Sequence, residues 1–469
     1  MEKTGRVRFS GATGGTFPAT WSQREFWHTI NKKQPSGYYQ IPWAVPIPPG
    51  CRLDRIEQIL ASFAIKYEAL RTTLRRDPDG ELRQIVHSEG VIPTWSASLP
   101  PDRAAITASG PLKEFLESEP AVDREFPWKI VVLTWNGSPH HLVCVCSHMV
   151  LDGQSGALLA AEMREALTAD VEAGDTSAGD PVWQPSDLAR WETAAGGRKV
   201  SQRALDHWRS VLAGAPASPF PSAARKGASP LWRGLLRSTA VEAAEQAVIG
   251  RTGLSSSSLF LSAAASLLWL VTGSSCFLFR VPTNNRVSRD LQGYVGALQQ
   301  HALVKVDVRC DTFDELMRSV AGNLLRAQSR ARYDGDGLYG MLEELSSTRA
   351  GQPDLTLLFN DLRPTYQRPQ GRPLPTDSGA DRDAPEVTWE LLHTTNPDIT
   401  LYVRLADARG VLSLDVAADE SCMPKPEIEG FVQAMESLLT HAAHSNFPLS
   451  DIQRVASGRP ATTAPSRRR

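Results

Sequence analysis

The sequence predicts a mixed α/β protein built as two lobes, each a sheet with helices packed on it. Three observations carry this. The stretch His140 to Ala157, HHLVCVCSHMVLDGQSGA, begins as a strand and ends as a helix. The stretch Thr168 to Pro181, TADVEAGDTSAGDP, is short-chained, acidic and poor in apolar residues, and reads as a linker between two lobes. The half that follows repeats the logic of the first, with apolar helical runs set between short β-prone runs.

The chain is organised around the first of these stretches. Leu142 to Cys146 is an apolar run short enough for a buried strand. From Ser155, the residues Ala157, Leu158, Leu159, Met163 and Leu167 recur at helical spacing. His148 therefore stands at a strand's end and Asp152 four residues later, with Gly153 expected to permit a sharp turn. A neutral His can take a proton from an attacking amine or hydroxyl near pH 7. A buried or hydrogen-bonded Asp would hold it in place. A satisfied structural His beside an ordinary Asp-Gly turn accounts for the same residues. Gly153 to Ala157 ends in Ala, so the G-x-S-x-G nucleophile elbow is not met. Cys144, Cys146 and His148 share a strand face, but no second ligand pair at zinc-site spacing follows, so no metal is expected.

With 469 residues, 41% hydrophobic and 22% charged, the chain has the composition of a soluble globular protein. A net charge of −2 points to neither nucleic acid nor an anionic membrane as partner. Six scattered Cys make no disulfide framework. The opening MEKTGRVRFSGATGG lacks the apolar core of a signal peptide, and Leu259 to Val271 is too short to span a bilayer. A cytoplasmic protein, expected to be a monomer, follows from these features.

Taken in order, Trp21 to Trp27 opens the first expected element. Tyr39 to Ile47 reads as a strand, and Leu53 to Leu74 as an amphipathic helix with Leu53, Ile56, Ile59, Leu60, Phe63 and Leu70 on one face. Arg71, Arg75 and Arg76 suit the negative end of its dipole. Asp79-Gly80 turns the chain into a strand, Leu82 to Val86. Trp128 to Trp135 is a strand that Asn136-Gly137 reverses into the central one. Further on come a helix from Ala204 to Leu212, a helix from Ser255 to Val271 capped by serines, and a strand from Cys276 to Val281. Arg286 follows that strand, either exposed on a loop or buried against a charge of opposite sign. Phe313 to Ala331 is a helix, Leu355 to Asn360 a strand, and Ile399 to Leu405 with Val411 to Ala417 a hairpin. Ile428 to His441 is the last helix expected. Tyr366 to Glu386 reads as a loop and Ser457 to Arg469 as a disordered tail.

Ser147 to Gly153, SHMVLDG, resembles the HHxxxDG motif of the condensation domains of nonribosomal peptide synthetases. The second His falls on His148, the Asp on Asp152 and the Gly on Gly153, while Ser147 replaces the first His. The opening segment resembles the family's SxAQxR(L/M)W through Thr20, Ser22, Gln23, Phe26 and Trp27, with Glu25 in the place of Arg. Lys66 to Leu74 resembles RHExLRTxF, with Tyr67 for His. Pro185 to Glu192 resembles YxDFAxW through Asp187, Ala189 and Trp191, with Pro185 for Tyr. Tyr294 to Val308 resembles IGxFVNTLxLR through Gly296, with Gln300 for Asn and Lys305 for Arg. Phe359-Asn360 stands where a late motif ends.

The resemblance implies two chloramphenicol acetyltransferase-like lobes, residues 15–175 and 176–456, arranged in a V around a central tunnel, with 457–469 as the tail. It implies an acyltransferase joining a carrier-bound acyl or aminoacyl thioester to a small amine or hydroxyl acceptor, as amide or ester, in natural-product biosynthesis. The substrate would arrive on the phosphopantetheine arm of an acyl or peptidyl carrier protein, and the chain would bind no cofactor of its own. No adenylation or carrier signature accompanies the match, so a free-standing condensation enzyme is expected. His148 is expected to act on the acceptor, Asp152 to pair with Arg286, and Gly153 to lie near the developing oxyanion. Ser147 supports the turn, and Gln300, Asn360 and Gln23 are candidate substrate-binding residues. The alternatives are a non-catalytic platform for a carrier protein and an acyltransferase using acyl-CoA.

Overall fold

The structure, a computed structural model, describes residues 1–31, 39–99, 110–169, 183–215, 218–220, 230–348, 354–363, 386–392, 399–408 and 411–458. The first half runs β1 (Glu2–Phe9), β2 (Gly15–Pro18), α1 (Trp21–Asn31), β3 (Gln40–Pro46), α2 (Leu53–Lys66), β4 (Thr72–Arg76), β5 (Leu82–Val86) and β6 (Gly90–Ser98). It continues with α3 (Gly110–Glu117), β7 (Trp128–Trp135), β8 (Ser138–Ser147), α4 (Gly153–Thr168), α5 (Pro185–Thr193) and α6 (Ala195–Ala213). The second runs β9 (Leu231–Arg237), α7 (Thr239–Thr252), α8 (Ser256–Thr272), β10 (Cys276–Thr283), α9 (Arg289–Gln292), β11 (Gln300–Asp307), α10 (Phe313–Gln328) and α11 (Gly335–Thr348). It closes with β12 (Leu357–Asp361), β13 (Glu386–Leu392), β14 (Leu401–Ala408), β15 (Val411–Asp419), α12 (Lys425–His444) and α13 (Ile452–Ala456).

The chain divides into two compact units, but not at one linker. Unit 1 is residues 1–205 with 284–300 and 332–343, and unit 2 is 206–283, 301–331 and 344–469. This differs from contiguous lobes of 15–175 and 176–456. The reason is hydrogen bonding over long separations: the backbone N–H groups of Leu298 and Gln299 donate to Asp152, and Glu68 accepts from Ser186. The linker and the loop expected at 366–386 lie, but for their end residues, outside the described residues, as does the tail beyond 458.

Unit 1 holds a five-stranded sheet in the order β1-β6-β7-β8-β3 and a three-stranded sheet in the order β2-β5-β4. The β7–β8 hairpin turns through Asn136 at φ 49° and Gly137 at φ 78°. Two left-handed residues match a tight turn to the twist of the strands, which is why Asn-Gly is selected there. Along β8, Leu142 to Ser147 are buried, and β3 pairs with it from Gln40↔Ser147 to Pro46↔His141. Helix α4 lies against β3 at Gly156, where a Cβ would come 2.6 Å from Ile41 Cγ2. One core gathers Val7, Phe26, Ile56, Leu60, Leu142, Leu159 and Val295.

Two expectations are corrected here. The first ordered element is not the Trp21 segment, because β1 and β2 precede it, β1 pairing antiparallel with β6. The helix expected over 53–74 ends at Lys66. Tyr67 is extended at φ −113°, residues Glu68–Arg71 form a single 3-10 turn, and the β-branched Thr72 and Thr73 join β5. Arg71 is no exposed dipole partner: it is buried and donates to the carbonyls of Thr13 and His87.

Unit 2 is a seven-stranded sheet in the order β11-β10-β12-β14-β15-β9-β13, with α7, α8, α10 and α12 contributing to its core. Ser255 caps α8 by accepting from Ser258 N, and its residues from Ser258 to Leu268 are buried. No single helix among the described residues is long and apolar enough to cross a membrane.

Candidate active site

Asp152 is the N-cap of α4. It is 1% exposed and receives six donors. Oδ1 accepts from Ser155 N at 2.9 Å, Ser155 Oγ at 2.8 Å and Arg286 Nη2 at 2.8 Å. Oδ2 accepts from Arg286 Nη1 at 2.9 Å, Leu298 N at 3.0 Å and Gln299 N at 3.1 Å. Burial alone would raise its pKa, but the Arg286 charge and the hydrogen bonds outweigh it and hold the carboxyl below its usual range.

Arg286 forms the other half of this cluster, its side chain 5% exposed. Besides its two bonds to Asp152, it donates to Ser155 Oγ at 2.7 Å and to the carbonyls of Asn284 and Tyr294. Ser155 Oγ also accepts from Gly296 N at 3.0 Å. The pairing of Asp152 with Arg286 is thus present, and it joins the start of α4 to residues 284–299 within unit 1. A fork of N–H donors against a carboxylate is among the stronger polar contacts available to a protein.

His148 leaves the end of β8. Its backbone N–H donates to Tyr39 O at 2.9 Å, and its ring stacks on Phe26 of α1 with centroids 4.1 Å apart. The turn that follows is closed by Val150 and Leu151, whose N–H groups donate to Ser147 O. Gly153 is buried and is the first residue of α4, not a left-handed turn residue as its identity suggested. What shapes the bend is the Asp152 cap, with Ser155 three residues on. That D-x-x-S spacing was visible in the sequence.

Ser147 is fully buried, and its hydroxyl donates to Glu119 Oε1 at 2.5 Å. Glu119 had no signal of its own. It precedes β7, twenty-eight residues from Ser147.

The weaker candidates separate. Gln23 is buried and bonds Thr20 and Gln84, so it serves the start of α1. Gln300 donates to Glu25 Oε2 at 3.1 Å and to Tyr333 O at 2.8 Å. Asn360 belongs to unit 2 and donates to Tyr402 Oη at 3.0 Å. No group of three or more His, Cys, Asp or Glu among the described residues is placed to hold a metal ion.

Sheets flanked by helices give the chain a fold of the chloramphenicol acetyltransferase-like class. Within that class the chain belongs to the condensation-domain family, whose model, Condensation domain, matches residues 14–457. It is 24% identical over 317 residues to the nonribosomal peptide synthetase agiA of Aspergillus flavus, covering 66% of this chain and 4% of that protein. The chain thus spans a small part of the length of such relatives. By structure it is similar to the X-domain in its complex with OxyB from teicoplanin biosynthesis, with a TM-score of 0.69, 17% identity, and coverage of 96% of this chain and 98% of the other. It is also similar to the domain behind condensation domain-mediated chain release from the enacyloxin polyketide synthase, with a TM-score of 0.65, 18% identity, and coverage of 99% and 87%. These likenesses show the fold, and the family is one whose domains nonribosomal peptide synthetases among the relatives carry.

Proposed function

We propose that the chain transfers an acyl or aminoacyl group from a carrier-protein thioester to an amine or hydroxyl acceptor, with His148 at the centre. The observation that carries this reading is the Asp152–Arg286 cluster, which fixes the far end of the turn bearing His148, while the His148 N–H bond to Tyr39 O holds its near end. A residue that must meet a nucleophile in one pose gains rate from being held there.

In this reaction the acceptor nitrogen or oxygen attacks the thioester carbonyl, forming a C–N or C–O bond. The acceptor's proton passes to the His148 imidazole. Collapse of the tetrahedral species breaks the C–S bond, and the departing sulfur takes the proton back as the pantetheine thiol. The oxyanion that forms in between is negative, and the amino end of α4 at Gly153, the positive end of the helix dipole, is suited to such charge. The donor is already activated, so no acyl-enzyme is needed. Asp152 holds the fold of the turn and does not touch the substrate, since its oxygens are already occupied.

The reading is tested by incubating the protein with an acyl-loaded carrier protein and a panel of amines and alcohols, and following the carrier by intact-protein mass spectrometry. Loss of the acyl mass with appearance of an amide or ester product supports it. A carrier that stays loaded with every donor and acceptor class contradicts it.

A further inference from the structure

Ser147 stands where the family's motif has its first His, and its hydroxyl is committed to Glu119. The same oxygen accepts the backbone N–H of Met149 at 3.3 Å, one residue beyond His148. Ser147 is therefore a bridge: a carboxyl on one side, the backbone of the His148 turn on the other. Glu119 is seated by three elements. Gln40 of β3 pairs with Ser147 in the sheet and sends its amide to Ser118 O at 2.6 Å. Lys129 of β7 donates to Phe115 O and to Ser118 Oγ, each at 2.5 Å. Ser147 of β8 completes the seat.

We propose that Glu119 is a positioning residue, pinning the His148 turn through Ser147 with a strength that follows the charge on its carboxyl. A hydroxyl bonded to a carboxylate makes a shorter and stronger bond than one bonded to a neutral acid. When Glu119 is ionised, the Ser147 proton is fixed toward it, and the Ser147 lone pairs are turned to the Met149 N–H. When Glu119 takes a proton, that charge assistance is lost.

Burial pushes Glu119 up to about 7, against the lowering pull of the Ser147 hydroxyl, the Lys129 charge and Gln40. Among the described residues, Ser147, Lys129 and Gln40 act on it. Lys129 lies on β7, and Glu125 faces Lys129 in turn. Cys146 on β8 is a thiol that burial holds protonated. Lys113 and Glu117 of α3 pair with each other. A transition near pH 7 is assigned to Glu119 by its loss in Glu119→Gln.

This rests on the proposed transferase reading only for its kinetic arm. The structural arm labels the methionines with 15N at the backbone, assigns Met149 by its loss in Met149→Leu, and follows its amide signal from pH 5.5 to pH 8.5, a window of about 1.5 either side of the Glu119 value. The wild type should show an inflection near pH 7 that disappears in Glu119→Gln and in Ser147→Ala, and persists in Ser147→Thr. An inflection that survives both Glu119→Gln and Ser147→Ala, or its absence in the wild type, overturns the proposal. In the kinetic arm Glu119→Gln should lower kcat roughly tenfold above pH 7 while KM for the loaded carrier stays the same. An unchanged kcat overturns the positioning role. If the wild type transfers nothing but the Met149 inflection behaves as stated, the clamp stands and the transferase reading falls.

Discussion

Gln300 and Glu25 bond each other. The Gln300 amide donates to Glu25 Oε2 at 3.1 Å, while the Tyr333 hydroxyl donates to Glu25 Oε1 at 3.0 Å. In the resemblance read from the sequence, these are two of the expected departures from the motifs, one an acid in place of Arg, the other Gln in place of Asn. Glu25 is 5% exposed and Gln300 2%. The Gln300 Oε1 also accepts from Tyr333 N, so the side chain is used at both ends. The departures are therefore partners, and Gln supplies the reach that the buried acid requires.

Gln300→Asn should be costly for that reason. The shorter amide cannot hold Glu25 and Tyr333 together, and leaving a buried polar partner unsatisfied costs about 1–3 kcal/mol. Combined with Glu25→Gln, the loss should be less than the sum of the two single changes, as contacting residues couple. A denaturant-unfolding double-mutant cycle measures the coupling.

Arg286→Met should destabilise unit 1 by about 3–5 kcal/mol, because it strands a buried carboxylate. Asp152 has a folded pKa below its unfolded value. Its contribution is thus complete above the unfolded value and is lost as the pH falls through the folded one. Removing Arg286 removes what opposes burial, so the titration should move upward and acid unfolding should begin at a higher pH. Urea midpoints across the acid range measure both effects.

Glu119 has the opposite sign. Its folded value of about 7 lies above the ordinary 4.5. Its stabilising contribution is complete below about pH 4.5 and is lost as the pH rises to about 7, with a total on the order of 3 kcal/mol. Glu119→Gln should flatten the fall in stability over that window, read as urea midpoints of the two proteins at matched pH.

Gly156→Ala places two effects in competition. Ala favours a helix interior over Gly by about 1 kcal/mol. Its Cβ would meet Ile41 Cγ2 at 2.6 Å, and overpacking a tight contact costs about 1–3 kcal/mol. Ile41 is buried in the sheet on a branched, stiff side chain, so packing should prevail and thermal unfolding should shift downward. Ile41→Ala in the same chain should cost less than it does alone.

Much of this was legible in the sequence, for local reasons. The hairpin at Asn136-Gly137, the strand Leu142 to Cys146 and the serine cap of α8 are set by residues within a few positions of one another. What stayed hidden depends on distant partners. In β1, Lys3, Arg6 and Arg8 mask the alternation that buries Val7 and Phe9, and its partner β6 lies some eighty residues on. The helix after Leu53 reads onward because Leu70 keeps the spacing, yet Arg71 is drawn inward by carbonyls of Thr13 and His87. The site divides in the same way. His148 and Asp152 stand out as a motif, while Arg286 reads equally as an exposed loop residue and is paired with Asp152 only through the resemblance. Glu119, and the backbone donors of Leu298 and Gln299, carry no sequence signature because their roles exist only once the chain has folded.

The claim that matters most is that His148 carries acyl transfer. Its most direct test compares wild type and His148→Ala in rate of unloading of an acyl carrier protein onto an accepting amine or alcohol, with far-UV circular dichroism and urea midpoints to verify the fold. The account predicts a folded variant whose kcat falls about 10²–10⁴-fold, with the carrier still bound. A folded His148→Ala protein that transfers at the wild-type rate would contradict it.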